Sequence, residues 1–239
     1  MDKIKVLYID DEGINLLAFK ASFRRIFEVF TAKSADEGID VLKSHPIEVV
    51  LSDQRMPGKT GVDFFEEIKD LYPTPIRILI TAFSDIESII DAVNKGNIYR
   101  YVTKPWSNFE LQLTIENSHK LYKLKEENNN LILKYEKIFS VSTDPIILLD
   151  EQCIIMDYNP ATLSLLDNEN LKSSSFKLFF TTEDEIQTMI DLLKEKSQIQ
   201  NYECQIITST GEKKACLISG NLLTNNYGEF INYQLILII

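Results

Sequence analysis

Long apolar runs are missing from this chain, and no stretch reaches the length needed to span a bilayer. The opening MDKIKVLYIDDEG is too short and too acidic for a secretory leader, so no membrane association and a cytoplasmic location are expected. Cysteine is scarce. Cys153, Cys204 and Cys216 all fall in the second half, with no CxxC spacing and no paired histidine. That pattern argues against a structural zinc site and suits a reducing compartment. Positive charge is also short: the net charge is −11, and acidic residues outnumber basic ones on both sides of residue 120. Phosphate contacts dominate nucleic-acid affinity, so neither half is expected to bind DNA or RNA directly.

What is present supports two globular units. The 239 residues are 44% hydrophobic and 26% charged, an ordinary balance for a chain that builds a proper core. Up to about residue 106, strand and helix patterns alternate. Apolar runs at Ile4–Ile9, Val29–Ala32, Ile47–Leu51, Ile76–Ile80 and Tyr99–Val102 predict five strands. Helical spacings lie between them, carried by Leu16, Leu17 and Phe23, then Ile39 and Leu42, then Phe64, Phe65, Ile68 and Leu71, and last Ile86, Ile89, Ile90 and Val93. Ser34 with Glu37, Ser84 with Glu87 and Ser107 with Glu110 fit the capping box that satisfies the orphan N–H groups of a first turn. Five strands alternating with helices predict a parallel sheet covered on both faces.

The chemistry gathers where such strands end. In VLSDQRMPGKTG an apolar run stops at Asp53, and a proline and two glycines follow. Asp10, Asp11 and Glu12 follow the first run, Thr81 the fourth, and Thr103, Lys104 and Pro105 the fifth. A lone aspartate at a strand end is ordinary turn usage. Acidic groups converging on one sheet edge are different, because each raises its neighbour's pKa unless a cation intervenes. A hard divalent ion such as Mg²⁺ resolves the repulsion, and Asp53 can then act as a nucleophile with Thr81 and Lys104 on the oxygens of an incoming phosphoryl group.

These residues carry a resemblance. VLYIDDE, LSDQRMPGKTGVDFF, ILITA and YRYVTKPW together resemble the receiver domain of a two-component response regulator, over residues 1–120. The resemblance implies a flavodoxin-like (βα)5 fold, α/β in class, Mg²⁺ as cofactor, and phosphorylation of Asp53 by a partner histidine kinase or phosphotransfer protein. It implies metal contacts from the Asp11 and Asp53 carboxylates, the Arg55 carbonyl and, through water, Asp10. Thr81 and Lys104 would bind the phosphoryl group, Tyr101 would reorient with Thr81, and the Lys104–Pro105 bond would be cis. An aspartyl-phosphate phosphatase of the haloacid-dehalogenase kind would need Asp-x-Asp-x-Thr after the first strand, where this chain has DDEGI.

Residues 107–139 contain no proline or glycine and predict one long connecting helix. Leu121, Leu124, Asn128, Leu131, Tyr135 and Ile138 recur at spacings of three and four, as in a heptad seam with one asparagine in the core. A homodimer through residues 121–138 is expected, although a stripe packing on its own domain would look the same over so few heptads. His119, in ENSHKLYKL, lacks the acid and proline of a histidine-kinase phosphoacceptor and is expected to be a surface residue.

Residues 140–239 predict two short strands across a turn at Asp150–Gln152 and a helix opened by Asn159-Pro160. A second helix begins at Thr182 with Glu185, and Tyr202–Thr208, Lys214–Leu223 and Glu229–Ile239 read as three strands. DYNPA and the strand order resemble a PAS domain, which implies an α+β fold with an antiparallel sheet. The cysteine segment of flavin-binding PAS domains is absent, and no histidine follows His119 to ligate haem. A small apolar ligand and an empty, purely dimerising pocket both fit. Cys153 and Cys204 are expected in strands, as small core hydrophobes. No effector follows INYQLILII, so either the sequence is part of a longer chain or its output is protein contact. The expectation is a non-enzymatic signalling protein whose phosphorylation is relayed through a helix to a PAS domain. The alternative is a ligand-sensing PAS module with a modulatory receiver.

Overall fold

The computed structural model describes residues 3–82, 97–168 and 170–238. The predicted helix carrying Ile86, Ile89, Ile90 and Val93, with its Ser84–Glu87 cap, lies outside the described residues. The chain divides into two units, Met1–Asn130 and Leu131–Ile239.

The first unit contains β1 (Lys5–Ile9), α1 (Gly13–Phe23), β2 (Glu28–Ala32), α2 (Ala35–Ser44), β3 (Val49–Asp53), α3 (Gly61–Ile68), β4 (Ile76–Ala82) and β5 (Arg100–Lys104). The strands pair in the order β2-β1-β3-β4-β5, all parallel. Successive side chains on a strand point to opposite faces, and both faces here are buried. Leu7, Ile9, Val50 and Leu79 pack with Phe64, Phe65 and Ile68 on one face. Val6, Tyr8, Val49, Leu51, Ile78 and Ile80 pack with Phe19 and Phe23 on the other. The apolar run of β4 also hides Arg77, 1% exposed, whose Nη2 donates to the Lys69 and Tyr72 carbonyls.

Helix starts follow local chemistry, with differences from expectation. The Ser34 hydroxyl accepts from the Glu37 amide, but the Glu37 carboxylate accepts from Lys33 N–H instead of Ser34 N–H. A reciprocal capping box appears at Thr60 and Asp63, where the sequence reading placed none. Helix α4 (Asn108–Val141) runs through the boundary between the units. Its buried residues are Leu111, Thr114, Ile115 and Ser118. Beyond them the stripe opens to solvent, with Leu124 63% and Leu131 70% exposed. His119 is a partly exposed residue of α4, with its Nε2 3.3 Å from Glu48 Oε1.

The second unit has β6 (Ile146–Leu149), β7 (Ile155–Tyr158), α5 (Pro160–Leu166), a 3-10 turn (Phe176–Phe179), α6 (Glu183–Lys196), β8 (Gln198–Ile207), β9 (Lys213–Thr224) and β10 (Phe230–Ile238). Its antiparallel strands lie in the order β7-β6-β10-β9-β8. Ile147, Leu149, Ile218, Leu235 and Leu237 form the sheet side of a core shared with Leu166, Phe176, Met189 and Leu193. Asn159 caps α5: its Oδ1 accepts from Thr162 N–H while its Nδ2 donates to Asp144 O at 2.8 Å. Two expectations are corrected. Thr182 precedes α6 but makes no side-chain cap. Cys153 is buried at φ 65° in the turn between β6 and β7, not in a strand, because the Asp150 carboxylate draws the Gln152 and Ile154 amides into a tight turn around it. Among the described residues no helix is long and apolar enough to cross a membrane.

Candidate functional site

Asp10 follows β1 on the same pleat row as Val6 and Tyr8, and Asp53 ends β3 in line with Val49 and Leu51. Lys104 ends β5 two residues after Val102, which packs against the same core. The period-2 alternation of parallel neighbours therefore brings Asp10, Asp53 and Lys104 to one face of the sheet edge. Lys104 Nζ bridges the two carboxylates, 2.9 Å from Asp10 Oδ2 and in contact with Asp53 Oδ1.

Asp10 is 1% exposed and heavily bonded. Its oxygens accept from the Tyr8 hydroxyl at 2.5 Å, Asn15 Nδ2 at 3.0 Å and the Glu12 amide at 2.9 Å, besides Lys104. Burial works to raise its pKa, but the bonds from Tyr8, Lys104, Asn15 and Glu12 prevail and hold it below the usual carboxylate range. At Asp53 the balance goes the other way. Burial prevails over Lys104 and the Arg55 amide, which donates at 2.7 Å, and the carboxyl is pushed up. Burial opposes the charge on Lys104, but its bonds to Asp53 and Asp10 raise the ammonium above its ordinary value.

A cleft of about 170 Å³ opens over these groups, and Asp11, Arg55 and Thr81 also line it. Asp11 and Glu12 are exposed at its rim. Thr81 is buried, its hydroxyl donating to the Ala82 carbonyl at 3.3 Å. Tyr101 is 42% exposed on β5 and does not line the cleft. The Lys104–Pro105 peptide is cis. The strand ends thus assemble Asp10, Asp11, Asp53, Arg55, Thr81 and Lys104, while Tyr101 stands apart.

The donor set suits Mg²⁺. Among the described residues no three acidic, histidine or cysteine side chains form a ready cage. Mg²⁺ is usually held by one or two carboxylates and keeps several waters. Asp10, Asp11, Asp53 and a main-chain carbonyl are hard oxygen donors of that kind.

Three contributors are not evident from motif reading. Tyr8 and Asn15 hold Asp10, and Tyr8 could have been found by counting two residues back along its pleat row. Gly61 is the third: a Cβ there would lie 2.4 Å from the Asp53 carbonyl oxygen and 2.7 Å from Leu79 Cδ1. Only glycine lets the start of α3 approach the back of Asp53 this closely.

Residues 6–116 match the family model described as the response regulator receiver domain. The chain is 44% identical over 101 residues to the hydrogenase transcriptional regulatory protein HoxA of Cupriavidus necator, covering 42% of this chain and 21% of that protein. It is 35% identical over 122 residues to HoxA of Bradyrhizobium diazoefficiens, covering 51% and 25%. The chain therefore spans only about a quarter of the length of these relatives. Among solved structures it is similar to the signal receiver domain of an HD domain-containing protein from Pseudomonas fluorescens Pf-5. That likeness has a TM-score of 0.50 and 26% identity, and covers 53% of this chain and 94% of the other.

Proposed function

We propose that this chain, whose residues 6–116 match the response regulator receiver domain, is a cytoplasmic phosphorelay protein with Asp53 as its phosphoacceptor. A receiver domain implies phosphorylation by a histidine kinase, with no catalytic output of its own. The observation that carries the assignment is the Lys104 bridge between Asp10 and Asp53 at the mouth of the cleft. An Asp53 carboxylate oxygen would attack the phosphorus, forming an O–P bond as the donor's P–N bond breaks. The Lys104 ammonium would follow the phosphoryl oxygens, with the Thr81 hydroxyl as a second donor after a rotation away from Ala82. Asp10, Asp11, Asp53 and the Arg55 carbonyl would hold Mg²⁺. When bound, the ion supplies positive charge that offsets repulsion between the carboxylates and the incoming phosphoryl group. Tyr101 would report the change at the outer surface of β5.

Intact-mass measurement after incubation with acetyl phosphate tests this reading. Wild type is expected to gain one phosphoryl group only with Mg²⁺ present, and Asp53→Asn none. Equal incorporation in both would refute Asp53.

The second unit is read as a PAS domain over residues 140–239, joined to the receiver over 1–120 by a signalling helix over 107–139. The five-strand antiparallel order and the Asn159-capped helix support that reading. The exposed stripe of α4 supports a parallel homodimer through residues 121–138, in which phosphorylation changes how the helices pair.

A further inference from the structure

We propose that Cys204 and Cys216 are a dithiol modification site, oxidised by hydroperoxides to a cross-strand disulfide that clasps β8 to β9. The proposal is independent of the phosphoacceptor. Cys204 and Cys216 are directly opposed in the antiparallel register of β8 and β9. Directly opposed residues in such a ladder have Cα atoms about 4.5 or 5.5 Å apart, depending on the pair type. Both separations lie inside the window a disulfide accepts, roughly 4.4–6.8 Å. Opposed residues also send their side chains to the same face of the sheet, which puts both sulfurs on one side.

The Cys204 side chain already reaches its partner: its thiol donates to the Cys216 carbonyl oxygen at 3.6 Å. The neighbouring Cys204 thiol holds the Cys216 thiol below its ordinary pKa, the direction that favours a nucleophilic sulfur. Both residues line a groove of about 570 Å³. Cys216 is 3% exposed, whereas Cys204 is only partly buried and offers the way in. Glu185 stands on the same groove with a buried Oε2 that has no hydrogen-bond partner among the described residues.

The reaction is balanced with one hydroperoxide. One sulfur takes the terminal hydroxyl as the O–O bond breaks, and the alcohol, or water from hydrogen peroxide, leaves with the thiol proton. The second sulfur then displaces that hydroxyl, which leaves as water with the second thiol proton. Two S–H bonds and one O–O bond are lost, one S–S bond is gained, and two electrons pass from sulfur to oxygen. Because β8 is one of the two edge strands and its register is irregular between Ile199 and Tyr202, a clasp at Cys204 would restrain that edge of the sheet.

The test uses the full reduced chain, hydrogen peroxide, a denaturing quench with an alkylating reagent, and peptide mass spectrometry. Before oxidation Cys153, Cys204 and Cys216 should all be alkylated. Afterwards only Cys153 should be, with the peptides of Cys204 and Cys216 joined and two hydrogens lighter, and thiol reductant should reverse the change. Amide exchange in β8 should slow on the order of tenfold in the oxidised form. Labelling of all three cysteines after oxidation, or a link joining two chains or involving Cys153, would overturn the proposal. Cys204→Ser and Cys216→Ser should each abolish the link. The wild-type labelling decides the matter even if a variant fails to fold.

Discussion

The Tyr8 hydroxyl donates to Asp10 Oδ2 over 2.5 Å, from a ring packed 4.6 Å from Phe19. A buried carboxylate that loses one of its donors keeps its desolvation cost without full compensation. Tyr8→Phe is therefore expected to destabilise the Mg²⁺-free protein by about 1.5–3 kcal/mol. Mg²⁺ should restore more stability to this variant than to wild type, because the ion takes over part of the missing compensation. Urea unfolding with and without MgCl₂ measures both effects. Equal stability of variant and wild type would show that the bond contributes nothing.

Gly61→Ala should cost about 1–3 kcal/mol, since the new methyl would meet the Asp53 main chain and force the start of α3 outward. Phosphorylation by acetyl phosphate should slow as Asp53 shifts. Gly13 meets nothing within 4 Å, so Gly13→Ala should change stability by less than about 1 kcal/mol. Thermal unfolding and phosphorylation rates of the two variants separate steric crowding from a general glycine effect.

The Thr60–Asp63 cap makes a pH-dependent contribution. The Thr60 hydroxyl donates to Asp63 Oδ2 at 2.6 Å, and with the Thr60 amide it holds the native Asp63 pKa below the ordinary 3.8. As pH falls the unfolded state is protonated first. The cap's stabilisation is thus complete above 3.8 and is lost as pH falls through the lower native value. Asp63 is exposed, so Asp63→Ala should lie at the low end of about 0.5–2 kcal/mol at neutral pH. The difference from wild type should shrink in acid. A difference that is constant down to acid unfolding would contradict this account.

Leu124 and Leu131 are seven residues apart on α4 and largely exposed. Burying each against a second chain should contribute about 1.5–3 kcal/mol. Leu124→Asp with Leu131→Asp should abolish pairing in sedimentation experiments, while Asn128→Leu should strengthen it and loosen register. A wild-type chain that stays monomeric at high concentration, with and without beryllofluoride, would leave the stripe without a self-partner.

Local periodicity made much of this protein readable from its residues. Apolar runs of β-branched and aromatic residues announced the five strands of the first unit, and chemistry at their ends named Asp10, Asp53, Thr81 and Lys104 before any strand was paired. Parallel strands present their carboxyl ends on one edge whatever their order, so the cluster needed only the fold class. The same reasoning did not hold at every element end. Thr182 and Glu185 carry the capping spelling, yet no cap forms, whereas Thr60 forms one with an aspartate at the position where glutamate is usual. Cys153 looked like a strand residue until the Asp150 carboxylate drew the neighbouring amides into a turn.

By itself the sequence determined which residues face which side of each strand, because side-chain direction follows from counting along the backbone. Tertiary structure alone decided who meets whom. Strand order and register put Lys104 between Asp10 and Asp53, and antiparallel pairing set Cys204 opposite Cys216. Close packing made Gly61 indispensable behind Asp53. Such contacts join residues distant in the chain through backbone hydrogen bonds and close packing, and local patterns carry no record of either.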